Sequence, residues 1–104
     1  MQAVVFNKAS LLQQLSGRSR EIKNFGVKQL GVFGSFAKDA NIRTDSDVDF
    51  LVDFEPGKKT YDNFIDLSFY LEDLLGRKIE LITRQSLSKY IGPHILKEVE
   101  NVFL

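Results

Sequence analysis

Residues 47–54 read Asp-Val-Asp-Phe-Leu-Val-Asp-Phe, and this run constrains the fold more than any other part of the chain. Val48, Phe50, Leu51, Val52 and Phe54 supply apolar side chains to both faces, so the segment predicts a strand buried on most of its surface. Successive strand residues point to opposite faces, which puts Asp47 and Asp49 on the same one. Ionised carboxylates at the head of an apolar strand repel each other and resist desolvation unless a cation or hydrogen-bond donors compensate them. A hard divalent cation does this economically. Mg²⁺ prefers oxygen ligands and is held by one or two carboxylates together with substrate phosphates.

The segment upstream supplies a place for such phosphates. Val27 to Phe33 is short, apolar and β-rich, and it stops at Gly34, where Ser35 opens a helix start. Glycine lets the backbone approach an anion closely, the first amides of a helix point toward it, and the Ser35 hydroxyl adds a donor. Lys38 adds a positive charge one turn later. Eleven residues separate Ser35 from Asp47, and the polar stretch from Lys38 to Ser46 suits a loop. Strand, Gly-Ser turn, short helix, loop and Asp-x-Asp strand together support in-line phosphoryl or nucleotidyl transfer.

The rest of the chain predicts a frame for these elements. Ser10 caps a first helix that ends at Gly26 and is broken at Ser16-Gly17. Phe64, Ile65, Leu67, Phe69, Leu71, Leu74 and Leu75 fit an amphipathic helix from Thr60 to Leu75, closed by Gly76. Ile79 to Ile82 forms a third strand. From Ser86 the chain is helical again, interrupted by Gly92-Pro93 and resuming from His94 to Val102, with Ile95, Leu96 and Val99 facing inward. The expected order is α, β, α, β, α, β, α.

Gly34-Ser35-Phe36-Ala37-Lys38, followed by Thr44 to Val52, resembles the MNT-type minimal nucleotidyltransferases of the DNA polymerase beta superfamily. The likeness continues through Phe54-Glu55-Pro56-Gly57, Leu74 to Lys78 and Ile79 to Thr83, so it covers roughly residues 20–84. It implies an α+β fold: a small mixed β-sheet flanked by helices, like the polymerase beta palm. It also implies two Mg²⁺ ions bound by three carboxylates and an NTP substrate, with ATP as donor. Asp47 and Asp49 match the first two carboxylates. Glu80 stands where the family usually has Asp, as base or second-metal ligand. Its extra methylene moves the carboxylate by about an ångström, a displacement that can cost about a hundredfold in rate. Lys38 stands where Arg is more common, and the loop before the acid pair is one residue longer than usual. Proteins of this kind are paired with HEPN-domain toxins, which they neutralise by adding AMP to a tyrosine. Two other roles share the motif: a binding module that neutralises its partner by contact, and a transferase acting on a small molecule such as an aminoglycoside.

Composition narrows the setting. A chain of 104 residues predicts one domain. Fourteen basic and fourteen acidic residues cancel, so no overall positive field draws a long nucleic acid. Absence of cysteine excludes disulfides and fits a reducing compartment, and the chain is expected in the cytoplasm. No apolar run approaches the roughly 18 residues that cross a bilayer, so no membrane anchor is expected. His94 is read as a surface or capping residue, Arg18, Arg20 and Lys23 as a solvated helix face, and Phe64, Phe69 and Tyr70 as core or partner-facing.

Overall fold

The structure, a computed structural model, describes residues 4–102 and 104. Helix α1, Lys8–Ser16, begins one turn earlier than expected, because Asn7 rather than Ser10 is its cap. The Asn7 side chain accepts from the Ser10 amide at 2.8 Å, and the Ser10 hydroxyl accepts in return from the Asn7 amide at 3.2 Å. Ser10 therefore closes a capping box from the third helical position. The break at Ser16-Gly17 is real: Gly17 ends α1 and a second helix, α2, runs Ser19–Asn24.

Strand β1, Val27–Phe33, leads through the short helix α3, Gly34–Lys38, to strand β2, Val48–Phe54. Helix α4, Tyr61–Leu75, starts at Thr60, whose hydroxyl accepts from the Asn63 amide at 3.1 Å, and returns the chain to strand β3, Ile79–Thr83. With a last short strand, β4, at Glu100–Val102, the four strands lie in the order β3-β2-β1-β4, with β2 and β3 parallel and the other neighbours antiparallel. This is the mixed sheet with flanking helices expected of the α+β fold.

The two faces of the sheet differ. Leu30, Val32, Val48, Phe50 and Val52 point into the main core, where Leu11 and Leu15 of α1, Ile22 of α2, Phe36 of α3 and Leu67, Leu71 and Leu75 of α4 meet them. Burying each such side chain is worth about 1.5–3 kcal/mol, which makes this the dominant stabilising layer. Among the described residues the opposite face is thinly covered: Phe33, Leu51 and Ile95 pack together, flanked by Ile82, Leu87 and Val99. It is this open face that carries the acids.

The C-terminal expectation is corrected in two respects. Gly92-Pro93 begins helix α5, Gly92–Glu98, instead of interrupting one, as suits a proline in a first helical turn. The chain then leaves the helix and Glu100–Val102 forms strand β4, pairing Val102 with Leu30 and Glu100 with Val32. The open edge of β1 offers backbone partners that local helical spacing cannot reveal, and this tertiary pairing overrides it. With the helix shortened, Leu96 is 43% exposed rather than inward-facing, while Ile95 is buried. Among the described residues, no helix is long and apolar enough to cross a membrane.

Candidate active site

The alternation of β2 sorts its side chains. Val48, Phe50 and Val52 face the helical core, so Asp49, Leu51 and Asp53 face the thinly covered side. Asp47, expected to begin the strand, stands exposed just before it. The parallel register sets Glu80 of β3 directly beside Asp49, and the antiparallel register sets Phe33 of β1 on its other side. The residue after Phe33, just past the end of β1, is Gly34. Asp49 is thus flanked by Glu80 on one strand and by the Gly34 turn on the other.

The contact with Gly34 is close. Gly34 has φ of 73°, a left-handed conformation that residues with a Cβ rarely adopt. A Cβ placed there would also overlap the Asp49 carboxylate. Two independent demands thus fall on one position, and both are met only by glycine.

Electrostatics mark Asp49 as the centre of the cluster. Its carboxyl is pushed up from 3.8 to about 6, first by burial, then by the Glu80 charge, by a hydrogen bond that protonated Asp49 donates to Glu80, and by the Asp47 charge. Asp47, Asp49 and Glu80 therefore share one electrostatic environment, and a cation would relieve their repulsion. An all-oxygen donor set of this kind suits Mg²⁺. Among the described residues, no three acidic or imidazole side chains converge on one point as a complete metal cage. A cation here would be held by Asp47 and Asp49, its remaining positions filled by oxygens of a substrate. Lys38 is directed elsewhere: its ammonium pairs with Glu98 of α5 at 3.2 Å, tying α3 to the helix that covers the acid-bearing face.

One residue beside the site went unremarked in the sequence. Arg77, between α4 and β3, is only 6% exposed. Its guanidinium donates to the Val5 carbonyl at 2.6 Å and to the Arg43 and Ser46 carbonyls at 2.7 and 3.0 Å, and it lies 5.2 Å from the centre of the Phe36 ring. A cation at the junction of two apolar elements is the signal that could have singled it out. An open cavity of about 430 Å³ adjoins it, lined by Thr44, Ser46, Asp47, Gly76 and Lys78 among others.

A small mixed sheet that sets Asp49 and Glu80 side by side on one face, with Gly34 packed against Asp49, is a frame on which a nucleotidyl-transfer site can be built. The chain belongs to the nucleotidyltransferase domain family, which matches residues 12–102. It is 42% identical over 86 residues to the protein adenylyltransferase MntA of Thermococcus cleftensis, a match spanning 82% of this chain and 85% of that one. A solved structure described as a candidate minimal nucleotidyltransferase superimposes with a TM-score of 0.70 at 31% identity, covering 86% of this chain and 93% of the other. The fold is also similar to that in a structure of a tri-AMPylated HEPN toxin in complex with an MNT antitoxin from Shewanella oneidensis. There the TM-score is 0.65 at 14% identity, covering 92% of this chain and 71% of that one. The MNT-type resemblance seen in the sequence is therefore sound, and the chain is a nucleotidyltransferase.

Proposed function

We propose that this nucleotidyltransferase is a Mg²⁺-dependent protein adenylyltransferase that moves AMP from ATP to a hydroxyl of a HEPN-type toxin partner and so acts as its antitoxin. The observation that carries the reading is the position of Asp49, held between Gly34 and Glu80 with Asp47 close enough to act on its charge. The name of the Thermococcus relative supports the adenylyl group, and the AMPylated toxin complex supports the class of partner.

In this reading Asp47 and Asp49 would hold the metal, which when bound would neutralise phosphate charge and charge on the attacking and leaving oxygens. Gly34 projects no side chain, leaving the backbone of the Gly34-Ser35 turn open to the triphosphate. Glu80, exposed beside Asp49, takes the proton of the attacking hydroxyl. The hydroxyl oxygen bonds to the α-phosphorus, the bond from that phosphorus to the oxygen bridging to the β-phosphate breaks, and pyrophosphate leaves. The balanced charge of the chain suits a protein acceptor better than a long polynucleotide.

A second reading, neutralisation by contact alone, is favoured by one observation: the three carboxylates do not converge into a cage. Incubating the chain with α-labelled ATP, Mg²⁺ and the protein encoded by the neighbouring gene separates the two. Label on the partner, lost when Mg²⁺ is chelated, is the expected result. A stable complex that never takes up label overturns the enzymatic reading in favour of contact.

A further inference from the structure

We infer that Arg77 is a positioning residue, fixing the backbone on which Asp47 is presented to the metal; the inference rests on the proposed metal-binding role of Asp47. Asp49 lies within β2, where ladder bonds on both sides set its backbone. Asp47 precedes the strand and has no such ladder. Two contacts from neighbouring residues replace it. Arg77 donates to the Ser46 carbonyl at 3.0 Å, and the Lys78 carbonyl accepts from the Val48 amide at 3.1 Å. The Ser46 carbonyl and the Asp47 amide share one planar peptide unit, so a bond to the first orients the second. The dipeptide Arg77-Lys78 thus grips the chain immediately before and immediately after Asp47.

The guanidinium does more than hold one carbonyl. The same Nη1 donates to Arg43 at 2.7 Å and lies 3.4 Å from the Thr44 carbonyl, so successive loop carbonyls turn inward toward one buried cation. Stacking against Phe36 links that point to α3, which begins at Gly34, the residue packed against Asp49. Through Nε it also anchors Val5 of the N-terminal segment. A fork of donors in a fixed plane is required for this, and lysine cannot reproduce it. Sequestering a cation at 6% exposure is costly, and hydrophobic residues of similar volume could fill such a site, so a role in geometry explains its presence better than stability does.

The test compares wild type with Arg77→Met, which keeps the volume, and Arg77→Lys, which keeps the charge. ATP affinity is measured calorimetrically with Mg²⁺ and with EDTA, at a temperature where circular dichroism shows each variant folded. The metal-dependent gain in ATP affinity is expected to fall roughly 10- to 100-fold in both variants, the range seen when the partner that orients a metal ligand is removed, while metal-free ATP affinity stays level. Amide exchange at Ser46, Asp47 and Val48 is expected to accelerate in both variants relative to that at Phe50. An unchanged metal-dependent gain, or losses with and without metal in equal proportion, overturns the inference. Should wild type itself show no metal-dependent gain, the proposed function fails on its own, and the amide exchange still decides the positioning claim: protection at positions 46–48 unaltered by both substitutions refutes it. If neither variant folds, Arg77→Gln, which retains a donor, is put through the same comparison.

Discussion

Gly34 and the Asp49 carboxylate lie so close that a single methyl group on residue 34 would overlap an Asp49 oxygen. The turn at the end of β1 and the acid on β2 are thereby locked into one unit, although 14 residues of chain separate the two.

This contact makes Gly34→Ala more damaging than an ordinary glycine substitution. Gly57 has a similar left-handed φ of 79° but nothing within 4 Å of a would-be Cβ. Gly57→Ala should therefore cost about 1–2 kcal/mol of backbone strain in urea unfolding and leave Mg·ATP binding intact. Gly34→Ala should cost at least as much and also remove Mg·ATP binding by calorimetry, because the carboxylate must move. Equal effects of the two substitutions on nucleotide binding would contradict the proposed geometry.

Asp49 imposes a pH signature on stability. Its folded-state pKa is raised from 3.8 to about 6, chiefly by burial, so the folded chain favours the neutral acid. Its contribution is fully present below the unfolded value and is lost as pH rises through about 6. Asp49→Asn should accordingly raise Tm over wild type at about pH 8, with the advantage shrinking as pH falls through about 6 and vanishing only well below the unfolded value of 3.8 in a series of thermal scans. Protons also compete with a metal at this carboxylate, so Mg²⁺ affinity of the wild type should weaken as pH falls below about 6. A pH-independent Tm difference would show that Asp49 is not the perturbed group.

Glu80 acts on Asp49 through both its charge and a hydrogen bond. Glu80→Gln removes the charge, so an NMR titration should show the Asp49 pKa shifted down toward 3.8. The same change should slow adenylyl transfer by about 10²- to 10⁴-fold if Glu80 takes the proton. Glu80→Asp, which restores the residue usual in the resembling family, should keep or raise the rate. Full activity of Glu80→Gln would remove the residue from the chemistry.

What was legible before the fold was known came from local rules. Gly34 at a strand end, the alternation that turns Asp49 away from Val48 and Phe50, the Thr60 and Gly76 boundaries of α4 and the apolar stripe of Leu67, Leu71 and Leu75 each follow from short-range periodicity or capping, whereas Asp47 falls just outside the strand it was expected to begin. What escaped depends on partners far along the chain. The residues of β4 carry a helical spacing, and only the vacant edge of β1, some 70 residues earlier, makes them a strand. Lys38 carries a charge where a phosphate-binding residue is expected, and only the packing of α5 supplies Glu98 as its partner.

The sequence by itself determined that Asp49 points away from Val48, Phe50 and Val52 on an apolar strand and that a turn needing glycine precedes it, because both depend on dihedral preferences and a two-residue repeat. Tertiary structure decided the register that sets Glu80, expected there only from the family resemblance, beside Asp49, the burial that pushes the Asp49 carboxyl up to about 6, and the reach of Arg77 to Ser46 and Val5. Strand register, desolvation and hydrogen bonds between residues 31 and 72 positions apart are properties of packed neighbours, and no local pattern encodes which neighbours those will be.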